Sequence, residues 1–136
     1  MKKFELKLFD GKNYLPSTLV FEMEGGMANI TFECSAHKFE GHDNYPFSAL
    51  LNMRKELDER GLKILCNGSR LDVYPSGAAL GSLKAYALKM GKVATRDDLV
   101  LIFDATDDVS KIATIDEQKA YYRKWLDSVR SYRKDL

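Results

Sequence analysis

Two largely alternating runs joined by a glycine pair leave little choice but an antiparallel hairpin: Ser17-Thr-Leu-Val-Phe-Glu-Met-Glu24, Gly25-Gly26 and Met27-Ala-Asn-Ile-Thr-Phe-Glu-Cys34. Side chains two apart on a strand share a face. A two-residue loop therefore puts Leu19, Phe21, Met23, Ala28, Ile30 and Phe32 on one side and Thr18, Glu22, Asn29, Thr31 and Glu33 on the other. That division predicts a sheet with one wet face. Lys3-Phe-Glu-Leu-Lys-Leu-Phe9 alternates in the same way and stops at the turn dipeptide Asp10-Gly11, so it reads as an earlier strand.

Ser35 to Tyr45 reads as a polar, glycine-containing connection. Pro46 and Ser48 then introduce a helix that runs to about Arg60 and ends at Gly61. Its apolar stripe is Phe47, Leu50, Leu51, Met53 and Leu57, while Arg54, Lys55, Glu56, Asp58 and Glu59 are assigned to a solvated face. Beyond it, Asn67-Gly68 predicts a type I′ turn between Leu62–Cys66 and Ser69–Tyr74. The implied register puts Leu62, Ile64, Cys66, Ser69, Leu71 and Val73 on an apolar face, and Lys63, Leu65, Arg70, Asp72 and Tyr74 on a wet one, with Lys63 opposite Asp72.

Ser76 to Ser82 reads as a small-residue loop and Leu83 to Met90 as a strand. Leu99-Val-Leu-Ile-Phe103 has the continuous apolar character of a central strand buried on both faces. Thr114-Ile-Asp-Glu117 is a capping box that starts a final helix through about Arg133, with a stripe of Tyr122, Trp125, Leu126, Val129 and Tyr132. The expected product is one α+β domain over residues 1–136: a mainly antiparallel sheet built from hairpins, with two helices packed on one face.

At 136 residues the chain is long enough to build a substantial core, and a formal charge of +1 argues against a general nucleic-acid binder. Apolar runs such as Leu99–Phe103 are too short to span a bilayer, and Met1-Lys-Lys3 leads into a strand pattern instead of a signal-peptide core. A cytoplasmic location and no membrane partner are expected. Two cysteines cannot form a disulfide framework, and both fall on predicted apolar faces, so Cys34 and Cys66 are read as buried thiols.

Four constellations have the residue types for chemistry. Cys34, His37, Glu40, His42 and Asp43 hold metal-ligating types, but they lie in one run and Cys34 points inward, so no metal or other cofactor is assigned. Cysteine–histidine catalysis needs an exposed thiolate beside the imidazole, which the predicted register denies, and no catalytic residue is assigned. Arg70, Asp72, Tyr74, Ser76 and Lys84, with Lys63, Gly77 and Gly81, form a patch that could clamp a carboxylate or phosphate; the plainer reading is a strand end with a cross-strand ion pair. Asp97, Asp98, Asp104, Asp107 and Asp108 concentrate negative charge before a final helix that carries six basic residues from Lys119 to Lys134. Such acids could steer a basic protein partner, with Tyr121 as an aromatic anchor, or could be solvated loops and caps.

At Cys66-Asn-Gly-Ser-Arg-Leu-Asp-Val-Tyr-Pro-Ser-Gly77, followed by Leu83-Lys-Ala-Tyr-Ala-Leu-Lys89 and Leu99-Val-Leu-Ile-Phe-Asp104, the chain resembles a group of small bacterial proteins that carry the pattern C-N-G-[A/S]-R-x-D-V-Y-P-S-G. The resemblance brings no catalytic residues with it. In size, charge balance and architecture the chain also resembles immunity proteins that neutralise toxins delivered between competing bacteria, including those of contact-dependent inhibition. It departs from the strongly acidic members that inhibit nucleases. The resulting expectation is a non-catalytic inhibitor of one cognate toxin domain; the alternative is a small-ligand-binding protein or enzyme built around Arg70, Tyr74, Ser76 and Lys84.

Overall fold

The computed structural model describes every residue except Ala36, Ser76, Ala78, Ala79, Asp135 and Leu136, and gives the backbone alone for residues 131–134. The fold is α+β. Strands β1 (Lys2–Phe9), β2 (Tyr14–Glu24), β3 (Met27–Cys34), β4 (His37–Asp43) and β5 (Lys63–Ile64) form an antiparallel sheet in the order β4-β3-β2-β1-β5. Strands β6 (Val73–Tyr74), β7 (Lys84–Ala87) and β8 (Leu99–Leu101) form a smaller antiparallel sheet in that order. Helix α1 (Pro46–Glu59) lies against β4 and β3, and helix α2 (Ile115–Lys134) reaches α1 and β6.

The glycine-pair hairpin forms with the expected register. Glu24 pairs with Met27 across Gly25 and Gly26, both at positive φ, and Leu19–Phe32, Phe21–Ile30 and Met23–Ala28 sit opposite each other. Their inner face merges with Leu6, Leu8, Phe39 and the helical residues Phe47, Leu50, Met53 and Leu57 into one core. Phe103 ties the two sheets together, its ring centroid 5.5 Å from that of Phe4 and 5.3 Å from that of Phe21.

Ser35–Tyr45 is not a simple connection: it contains β4, paired with β3 from Ala28–Asp43 to Cys34–His37. Only Phe39 and Gly41 are buried along it, so the alternation has one apolar side chain to mark it. Gly41 is there for space. A Cβ at that position would stand 2.2 Å from the Ala49 carbonyl oxygen and 2.8 Å from Met53 Cβ, so the missing side chain lets α1 rest directly on the strand.

The Asn67-Gly68 hairpin does not form. Residues 62–74 divide between two sheets, β5 pairing with β1 and β6 with β7, while Asn67–Ser69 makes one 3-10 turn. Gly68 is absent from the positive-φ glycines, and a Cβ on it would lie 2.5 Å from Leu50 Cδ2. Close packing therefore explains this glycine better than turn geometry. Its neighbours pair at long range: Asn67 N–H donates to Asp104 O at 2.9 Å, Gly68 N–H to Ile102 O at 2.8 Å and Leu71 N–H to Lys111 O at 2.8 Å. As a result Leu65 is buried and Leu71 exposed, the reverse of the hairpin assignment.

Leu99–Phe103 is likewise not a central strand. Strand β8 lies at the edge of the smaller sheet with Leu101 42% exposed, and full burial begins at Ile102 and Phe103. The two predicted helices are present; α1 ends with Gly61 at φ +69°, and α2 starts at the expected box, Thr114 N–H donating to Glu117 Oε1 at 2.8 Å and Glu117 N–H to Thr114 Oγ1 at 3.2 Å.

Candidate functional site

The residue assigned to solvent with least justification is Arg54. It is 2% exposed. Its spacing from Leu50 and Leu57, four and three residues away, already places it within the apolar stripe, and α2 with the Asn67 turn covers it. Arg54 donates to Ala113 O at 2.6 Å, Gln118 Oε1 at 2.7 Å and Gly68 O at 3.4 Å. Burial pulls its pKa down, and Cys66 and Asp58 oppose the shift. Gln118, equally buried, donates through Nε2 to Gly68 O at 2.9 Å and to Arg70 O and Val73 O at 2.8 Å each. This pair satisfies the carbonyls of Gly68, Arg70 and Val73, beside the antiparallel bridge that Arg70 makes with Ile112.

Both thiols are buried: Cys34 by the alternation of β3, and Cys66 although the hairpin whose register was to bury it does not form. Burial pushes the Cys66 thiol above its ordinary pKa, opposed by a 3.4 Å contact with Ser69 Oγ and by Arg54. That environment suppresses the thiolate. His42 Nδ1 lies 2.6 Å from Asn29 Oδ1 and 3.9 Å (through Nε2) from Glu40, on the sheet face opposite buried Phe39. Among the described residues, no three potential ligands converge as a metal site would require.

Within the expected ligand patch, Arg70 and Asp72 are committed to each other and Tyr74 to neighbouring rings. Arg70 makes a two-pronged pair with Asp72, Nε to Oδ1 at 3.0 Å and an Nη to Oδ2 at 2.8 Å, so Asp72 does not face Lys63. Tyr74 is stacked on Tyr122 at 4.3 Å and meets the edge of Phe47 at 5.3 Å. Burial raises the Tyr74 hydroxyl pKa. Lys84 is exposed on β7, and Gly77 and Gly81 are exposed before it, whereas Ser76 lies outside the described residues.

The acidic residues separate into two groups. Asp97 and Asp98 precede β8, and Asp98 accepts from Thr95 N–H at 2.9 Å as a cap. Asp104, Asp107 and Asp108 follow that strand; Asp108 accepts from the Ser110 hydroxyl at 2.5 Å and from Ser110 N–H at 3.0 Å, which keeps its carboxyl below the usual range. Tyr121 is half-buried, its hydroxyl 3.5 Å from Leu88 O.

Asp107 stands apart because the fold gives it a setting. Leu65 N–H donates to Lys7 O and Thr106 N–H to Leu65 O, extending the main sheet past β5 to the segment at Ala105. Between that segment and the outer face of β1 and β2 lies a cleft of about 260 Å³, lined by Glu5, Lys7, Tyr14, Pro16, Leu65, Thr106 and Asp107 among others. Glu5 accepts from the Thr18 hydroxyl at 3.2 Å. Among the described residues, Lys7 and Asp107 make no ion pair, so two uncommitted charges of opposite sign flank an apolar recess. Sequence reasoning missed the cleft because its wall comes from residues about forty positions after Leu65, joined by a ladder that the expected hairpin precluded. No protein-family model and no curated protein matches the chain.

Proposed function

We propose that the protein is a non-catalytic inhibitor that acts in the cytoplasm and binds one protein partner, a cognate toxin domain. The observation that carries this reading is Asp107 on the rim of the recess beside Lys7 and Tyr14. Unpaired charges around an apolar recess that a partner can cover give both steering and anchorage, the combination found at interface hot spots. The burial of both thiols and the internal pairing of Arg70 with Asp72 also favour recognition over turnover. Among the described residues, no helix is long and apolar enough to cross a membrane, which accords with action on a partner in solution.

The test is co-expression with the C-terminal domain of a large secreted protein encoded beside this chain. Growth rescue and a 1:1 complex are expected, and D107R should weaken that complex about tenfold or more at low salt. A stable growth-arresting domain that neither binds nor is neutralised removes the inhibitor reading, and unchanged affinity in D107R removes the recess.

A further inference from the structure

The outermost strand of the main sheet, β4, is seven residues long, contains no proline and, among the described residues, has a partner on one side only. The 2.6 Å contact between His42 and Asn29 side chains fits a non-hydrogen-bonded pair, where side chains approach most closely. The peptide groups of such a residue face away from the neighbouring strand. By the two-residue period, those of Lys38, Glu40 and His42 all face the open edge. Among the described residues, no backbone hydrogen bond outside the strand ladder reaches them. This is a ready template for strand addition.

We propose that the β4 edge pairs with β4 of a second copy of this chain, antiparallel, about a twofold axis at Phe39. Charge complementarity selects both occupant and register. With the axis at Phe39, Lys38 of each copy faces Glu40 of the other, so two opposite-charge pairs form on the outer face. Moving the axis to Glu40 sets that carboxylate against itself and Lys38 against His42. Moving it to Gly41 replaces both Lys38–Glu40 pairs with Glu40 against His42 and sets Phe39 against Asp43. Lys38 and Glu40 already lie 3.6 Å apart within one chain, with 58% and 53% of their side chains exposed, so both can turn to a neighbour without unfolding anything. His37 faces Gly41 in the favoured register, where no side chain crowds it. The contact is independent of the recess and of any toxin partner.

Sedimentation equilibrium of the full chain from about 10 µM to 1 mM tests this, since an edge pairing of this length belongs to the small, weak class of interfaces. A reversible dimer is expected. K38E and E40K, each placing like charges opposite one another twice, should each weaken it about tenfold. The double variant K38E/E40K restores both pairs and should return to within about threefold of the parent. Both sites are exposed, and circular dichroism checks that each variant folds. A monomer at every concentration overturns the proposal, as does a dimer insensitive to the single changes or one the double change fails to restore.

Discussion

A single buried guanidinium with neutral acceptors organises the least regular part of this chain. Arg54 and Gln118 together reach Gly68, Arg70, Val73 and Ala113, four carbonyls that helix and sheet leave unserved. Removing one donor leaves buried acceptors unpaired, which is costlier than the hydrogen bond itself is worth. R54A should therefore lose about 3 kcal/mol and Q118A about 2–3 kcal/mol in urea denaturation. Because the two side chains touch at 2.7 Å and share Gly68 O, the double variant should lose less than the sum by about 1 kcal/mol or more. Strict additivity would show that each acts alone.

Helix α2 offers the clearest test at the level of an element. The Thr114 backbone and hydroxyl hold the Glu117 carboxyl below the usual glutamate range. Since its folded pKa lies under its unfolded one, the stabilisation is complete above the ordinary value of about 4.3 and fades as pH falls through the folded value. E117Q should cost about 0.5–1 kcal/mol at pH 7 and converge with the parent in strong acid, as measured by denaturation at a series of pH values. A constant difference across that range would contradict the charged cap. This box was legible because all its parts are local. So was the Gly25-Gly26 hairpin, whose two glycines supply the positive φ that its turn demands. Asn67-Gly68 carries an equally strong local signal, but Leu50 and Ile102 press on Gly68 and draw the segment into contacts more than thirty residues away in sequence. Arg54 was open to discovery from its helical spacing, whereas the wall of the recess was not, because no local pattern announces that Ala105 will pair with Cys66.

For the molecule as a whole, Phe103 is one of the contacts through which the two sheets behave as one body. Its ring packs on Phe4 and Phe21 of the larger sheet, and it lies two residues past the end of β8 in the smaller. F103A should cost about 3–5 kcal/mol while keeping one transition, with Trp125 fluorescence and far-ultraviolet dichroism coinciding in denaturant. Separate transitions in the parent would mean that the sheets unfold independently. The whole arrangement also depends on a dimension set at Gly41. That glycine fixes how near α1 can lie to β4, and α1 carries Arg54, whose finite reach sets the Gly68 carbonyl and the segment behind it. A side chain at position 41 would thus push first on Ala49 and Met53 and, through the helix, on the reach left to Arg54 next to Met53. Strand, helix and loop share one tolerance, and the smallest residue sets it.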